Sequence, residues 1–318
     1  MLKEVTKFEW NEIVKNQVVS IFNDSEYLEL ISRMHKTELK FWVIYNQKNK
    51  PIIGFATHIR RRSIIVPDHF GYSSFWKDTN LGGFSFFDYL DKALNDLKKM
   101  FNLIEFRLPP DIMDIRAFNH NGFTCSTNFT YLNQTAEAGN YRNDILKKLK
   151  SSYKESFTFL YNENYEEVLR QQLNDFKYFG YSKSKIDFYR TYFQKLIDYD
   201  IMKSFCVYKN NELIASALVI IDFDIKIAYN ILLSSSKTYS SGVSVFLYDN
   251  IMKKLKELSI ETIDLYGANM KTIANFKSGF NGELKLSFKT SYDKLLNGNN
   301  KILSIMYQIR RYILYNVL

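Results

Sequence analysis

Asp264, Tyr266, Asn269 and Lys277 fall within one short stretch, Ile260 to Lys289, that alternates, turns and then becomes helical. An acid, a phenol, an amide and an ammonium gathered at a strand end can hold an anion, orient a nucleophile or stabilise developing negative charge. The surrounding pattern predicts how they meet. Ile260, Ile263 and Leu265 alternate around Thr262 and Asp264 as a short strand. Gly267 ends that strand, Asn269 can cap a helix through Ile273, Phe276 and Lys277, and Gly279 can take the left-handed conformation that stops it. Leu284, Leu286 and Phe288 then alternate with polar residues as the next strand. The product is a β-α-β corner.

Two further stretches can carry chemistry. The loop SSSKTYSSG, residues 234–242, leads into a long helix whose free N–H groups suit a pyrophosphate. Lys237, Ser240, Ser241 and Gly242 are its candidate donor-binding residues, and a plain capped loop is the alternative. In the aromatic loop PDHFGYSSFWKDTNLGG, residues 67–83, Asp68, His69, Tyr72 and Trp76 can line a pocket, or the rings can pack down on the core. His69, beside Asp68, is the histidine worth testing as a base. No catalytic-triad spacing is present and no metal-binding spacing, so a metal is not expected. Cys125 and Cys206, far apart, give no disulfide framework and read as small core residues in a reducing cytoplasm.

The elements that must position these residues are legible along the whole chain. Residues 1–40 read as two helices, 41–66 as strands, 84–100 as an amphipathic helix, and 103–132 as strand, short helix, strand. NQTAEAG, residues 133–139, is small, polar and unpatterned, and reads as a boundary. A helix, a strand, two helices and a meander of three strands follow, and then the helix 243–258 delivers the chain to the corner. The order of elements in the second half repeats the first.

The 318 residues suffice for two domains, and a hydrophobic share of 46% with 24% charged excludes wholesale disorder. A net charge of +9 attracts phosphate-bearing partners: nucleic acid, coenzyme A, nucleotide sugars or an anionic membrane face. Abundant Tyr, Phe, Lys, Asn and Ile also suggest AT-rich coding, which inflates the lysines. No apolar run is long enough for a membrane span and the N-terminus lacks a signal-peptide core, so a soluble, cytoplasmic protein is expected.

DLYGANMKTIANFKSGFNGEL, entered from a long helix, resembles the end of the transferase domain in Fem-type (FemAB-like) aminoacyltransferases and in related coenzyme-A-dependent acyltransferases of the GNAT superfamily. RLPPDIMDIRAFNHNGFTCSTNFTYL is similar to the segment that closes the first domain in those proteins. The resemblance implies an α/β class with α+β mixed sheets, in two tandem GNAT-like domains, here 1–135 and 136–318. Each would be a mostly antiparallel mixed sheet flanked by helices, with the transferase site in the second. Lys277 falls on the lysine of a Phe-Lys-x-Gly-Phe element, between Phe276 and Phe280, where it would bind anionic substrate or stabilise developing charge. Asp264, Tyr266 and Gly267 fall on the strand end. The chain departs from the pattern at Asn281, where a Gly is favoured, and in lacking the Gln/Arg-x-x-Gly-x-Gly/Ala donor signature.

The implied activity is N-acyl transfer to an amine of a sugar, peptide or cell-envelope precursor. No cofactor would be tightly bound: the donor is a substrate, with acyl-coenzyme A favoured because the helical arm of some tRNA-dependent enzymes is missing. The alternatives are Fem-type transfer from aminoacyl-tRNA to a peptidoglycan precursor, and a non-catalytic tandem scaffold that binds nucleic acid or a membrane surface. A monomer with possible peripheral membrane contact, through the terminal helix 301–318, completes the expectation.

Overall fold

The structure is a computed structural model that describes residues 1–236 and 242–294. Helix α1 (Lys7–Val14) starts where Thr6 and Glu9 form a reciprocal capping box. That late start frees Leu2–Val5 to be a strand, β1, where the sequence suggested helix, and β1 pairs with β2 (Glu38–Tyr45). Asp24 caps α2 (Ser25–Met34). Next come β3 (Pro51–Arg60), β4 (Ser63–Ile65), β5 (Phe75–Lys77), α3 (Gly83–Met100), β6 (Leu103–Leu108), α4 (Arg116–His120) and β7 (Thr124–Gln134). The second half runs α5 (Asn143–Ser152), β8 (Thr158–Tyr161), α6 (Tyr165–Tyr178), α7 (Lys183–Asp198), β9 (Met202–Lys209), β10 (Glu212–Asp222) and β11 (Ile227–Ser235). It closes with α8 (Gly242–Glu257), β12 (Thr262–Asp264), α9 (Lys271–Ser278) and β13 (Glu283–Asp293).

The chain forms two compact units, one of Met1–Asn128 with the described residues from Leu286 onward, the other of Phe129–Lys285. In the first, β1, β2, β3 and β4 pair antiparallel in sequence, β4 runs parallel to β6, and Phe288–Asp293 of β13 pair antiparallel with β6. The second repeats this wiring: β8, β9, β10 and β11 antiparallel, β11 parallel to β12, and β12 antiparallel to Leu132–Gln134 of β7.

The division therefore falls inside β7 rather than after residue 135, and the described residues from Leu286 onward group with the first unit. NQTAEAG is not a linker. Asn133 and Thr135 are buried, and they donate to the carbonyls of Phe280 (2.7 Å) and Ile260 (2.6 Å). Small polar residues there satisfy buried backbone, which composition alone cannot distinguish from a flexible joint.

Each unit has its own core. In the first, Phe86, Leu90, Leu94 and Leu97 of α3 pack on Ile53, Phe55, Ile104 and Phe106. In the second, Val243, Leu247, Ile251 and Leu255 give α8 a buried stripe against Phe205, Ala217, Val219 and Ala228.

Candidate active site

A wedge opens in the second unit where β11 and β12 part. They pair for three residues, Ile227–Tyr229 against Thr262–Asp264. Beyond Asp264 the chain turns to β7 instead: Leu265 N–H donates to Tyr131 O (2.9 Å) and Ala268 N–H to Phe129 O (2.7 Å). β11 meanwhile continues to Ser235. It also carries a bulge, since Leu218 of β10 faces Leu232 while Val219 faces Asn230, leaving Ile231 as the extra residue. A bulge beside a splayed strand pair re-aims β11 toward the gap.

A cavity of about 480 Å³ fills this wedge, within the usual range for small-molecule sites. Asn230, Ile231 and Leu233 line one wall and Tyr266 and Gly267 the other. Ser244 and Tyr248 of α8, and Thr272, Ile273, Phe276 and Lys277 of α9, close it. A larger cleft of about 1040 Å³ lies between α6 and α7, lined by carboxylates and cations of both helices such as Glu166, Asp198, Arg170 and Arg190. Its lining comes from α6, α7 and Asn164 and includes no residue of the splayed strands, so the smaller cavity is the candidate site.

Asp264 and Lys277 grip the same residue from opposite sides. The Asp264 carboxylate accepts from Tyr266 N–H (2.8 Å) and from the Thr130 hydroxyl. The Lys277 ammonium donates to the carbonyls of Leu265 (2.6 Å), Tyr266 and Gly267 (3.0 Å). Between them Tyr266 and Gly267 both sit in the left-handed region, at φ 53° and 48°. For a tyrosine that conformation costs on the order of 1 kcal/mol and persists only when its surroundings enforce it. Thus the acid and the ammonium fix a strained turn that sets the cavity wall.

Burial pushes the Lys277 ammonium down to about 8, and the Asp264 carboxylate acts against that shift. Three carbonyl contacts use all three N–H bonds of a protonated lysine. Burial likewise pushes the Tyr248 phenol up, countered by the amide of Asn230, whose Nδ2 donates to the phenol oxygen at 2.6 Å. Asn230 Oδ1 is buried, with no hydrogen-bond partner among the described residues. Neither carboxylate nor imidazole lines the cavity among the described residues.

The structure gathers Lys277, Asp264, Tyr266 and Phe276 here, with Phe280 one layer behind, its ring 5.3 Å from that of Phe276 and 5.1 Å from that of Tyr248. Gly242 is buried at the start of α8, whereas Lys237, Ser240 and Ser241 lie outside the described residues, as does 301–318. Asp68, His69, Tyr72 and Trp76 belong to the first unit. Tyr72 and Trp76 are buried in its core, 4% and 3% exposed. The Tyr72 ring meets Phe22 edge-on, and Trp76 covers Gly54, where a Cβ would lie 2.3 Å from the indole nitrogen.

Two expectations about turns change. Asn269 does not cap α9: Met270 stands at the cap, and Asn269 Oδ1 accepts from Phe129 N–H (2.9 Å). Gly279 is right-handed, at φ −65°, and its need is for space, since a Cβ there would lie 2.5 Å from Ile145 Cγ1. The left-handed position is Asn281, at φ 56°, a residue type that tolerates it and so accommodates the departure from Gly. The polar cavity residues not anticipated are Asn230, Ser244, Tyr248 and Thr272. Asn230 alone had a signal, an amide interrupting the otherwise apolar run IAYNILL.

The sequence matches no family model and no curated protein. Among solved structures it is similar to FemX, with a TM-score of 0.63 and 10% identity over 97% of this chain and 99% of that one. It is also similar to the C-terminal DUF2156 domain of a putative lysylphosphatidylglycerol synthetase from Agrobacterium fabrum, at TM-score 0.58 and 14% identity over 98% and 97%. A tandem GNAT protein from the clavulanic acid biosynthesis pathway aligns at TM-score 0.56 and 9% identity over 92% and 99%. Likenesses this remote define a class of fold: the chain has the GNAT fold in the form shared by FemX and a tandem GNAT protein. Among the described residues no helix is long and apolar enough to cross a membrane, and no group of His, Cys, Asp and Glu is arranged to hold a metal.

Proposed function

We propose that the chain is an N-acyltransferase, moving an acyl group from an activated donor, acyl-coenzyme A, to an amine of a sugar, peptide or cell-envelope precursor. The observation that carries the reading is the wedge between β11 and β12, with the bulge at Ile231 and the cavity beside the start of α8. Such a gap exposes a strand edge whose N–H groups can receive a carbonyl oxygen, and the helix start favours an anionic donor. The acceptor amine attacks the acyl carbon, a C–N bond forms, and the carbonyl electrons move to oxygen. That oxyanion meets the β11 edge and the positive charge of Lys277 in the cavity wall. Collapse expels the donor's thiolate, and the proton lost by nitrogen goes to the leaving group or to water. With no carboxylate or imidazole in the described lining, rate comes from positioning and electrostatics.

Transfer from aminoacyl-tRNA to a peptidoglycan precursor is the second reading, favoured by the TM-score to FemX and by the +9 charge. A non-catalytic scaffold is the third, favoured by the full engagement of the Lys277 donors with backbone. Thermal unfolding with added ligand separates them. Acetyl-coenzyme A at about 100 times its dissociation constant stabilises the fold by about 2.7 kcal/mol. Ile273→Glu, which places a negative charge at the partly exposed cavity rim, reduces that shift. A salt-dependent shift with charged tRNA and none with the thioester moves the assignment to the second reading; silence with both moves it to the third.

A further inference from the structure

The connection between α6 and α7 carries a tip that the cavity does not use. Helix α6 ends in a Schellman closure: Tyr181 N–H donates to Phe176 O (3.1 Å) and Gly180 N–H to Lys177 O (3.0 Å), with Gly180 at φ 80°. The Phe176 and Tyr181 rings complete it, stacked at 5.1 Å and 23°. This closure turns Phe176 inward and leaves its neighbours outward. Tyr178 is 74% exposed and Phe179 72%, their rings 5.7 Å apart. Helix termination needs the glycine and the inner ring pair; it does not need a phenylalanine in water at the cap position.

Within the tip the charge has one sign, with Asp175 and Asp187 flanking it. Between Phe176 and Ile186 the chain reads KYFGYSKSK, with Lys177, Lys183 and Lys185 and no acid. Lys185 lies over the Tyr181 ring at 5.0 Å, which holds one cation beside the aromatic pair. Aromatic rings on a convex tip, ringed by lysines, match the boundary of a bilayer, where rings settle at headgroup level and cations meet lipid phosphates. A nucleic-acid platform would instead present rings along a groove that tracks the backbone.

We propose that this tip docks the protein on an anionic lipid surface, with Tyr178 and Phe179 entering the headgroup region and Lys177, Lys183 and Lys185 facing the phosphates. This does not rest on the transferase reading. The test uses the full chain and vesicles of phosphatidylcholine, alone or with a third phosphatidylglycerol. The protein co-sediments with the anionic vesicles and not with the neutral ones, and Tyr178→Ser with Phe179→Ser weakens this at least tenfold while the melting temperature holds. Lys177→Gln with Lys183→Gln weakens it by roughly fivefold per lysine at low salt. A Phe179→Trp reporter shifts its emission to the blue on mixing, which a contact made elsewhere on the chain does not produce. Three results overturn the proposal: no binding of the unaltered chain at millimolar lipid, binding that survives the double serine variant, or tip-dependent binding of single-stranded RNA without any of vesicles.

Discussion

Replacing Lys277 with methionine keeps the length of the side chain and removes the cation from three carbonyls. Leu265 is buried, so its carbonyl is left without a donor at a cost of about 1–3 kcal/mol, while the exposed Gly267 carbonyl can be rehydrated. The opposing effect is the burial of charge in the natural protein. A lysine at about 8 when folded and 10.5 when unfolded is disfavoured as a cation by folding, and each tenfold loss of proton affinity corresponds to about 1.4 kcal/mol. The cost is fully present below pH 8 and is relieved as the pH rises toward 10.5, where the unfolded chain still binds the proton that the folded chain has released. Between pH 7 and 10 the natural protein therefore gains roughly 2–3 kcal/mol that Lys277→Met does not. Urea denaturation of both proteins at the two pH values measures it: at pH 7 the unpaired carbonyl and the relief of charge burial oppose each other, and on going to pH 10 the variant loses ground to the parent by roughly 2–3 kcal/mol. A gap that is constant with pH refutes the depressed lysine, and a variant as stable as the parent at pH 10 refutes the grip on the turn.

Gly279→Ala forces a methyl group against Ile145 and destabilises the fold by about 1–3 kcal/mol; Ile145→Ala, which removes the clashing Cγ1 and Cδ1, makes the two changes cost less together than their sum, which denaturation of the single and double variants tests. Acid weakens the first unit through its buried histidines. His58, held by Ser32 Oγ at 3.0 Å, is pushed down to about 3, and His35 to about 4, both chiefly by burial. Their folded values lie below the unfolded 6.5, so stability is intact above pH 6.5 and falls as pH drops through that window, by about 2 kcal/mol for His58 at pH 5. His58→Gln flattens the acid limb of the denaturation midpoint, and an unchanged limb shows that His58 is not the group responsible.

Periodicity revealed most elements because each has one buried face: the Leu90, Leu94 and Leu97 stripe of α3 and the alternation through Leu284, Leu286 and Phe288 read directly as helix and strand. The corner at Asp264 to Lys277 was legible as a place where polar groups converge. Its physics was not, because what Asp264 and Lys277 both hold is the backbone of Tyr266, and backbone has no letter in a sequence. Gly279 illustrates the same limit, since a glycine that makes room for Ile145 looks like one that supplies a left-handed turn. The aromatic loop misled for a related reason. Nothing local in Tyr72 and Trp76 announces that Phe22 and Gly54 leave ring-shaped space beneath them.

A strand's alternation specifies its faces and not its neighbour, so the repeat could be read while the pairing of β13 with β6, and of β7 with β12, could not. That pairing has a consequence for biosynthesis. The ribosome finishes the first repeat when β7 emerges, yet the strand that covers β6 is made only after the whole second repeat. Until then Leu103–Leu108 presents an open edge, and Phe106 and Leu108 lie beside a gap that Phe288 must later fill. Folding of the first unit is thereby tied to completion of the second, with long-range pairing at its slowest step. A chain arrested after residue 135 carries a sheet one strand short, exposed to aggregation or to chaperone capture, and no cut between the repeats yields two complete halves.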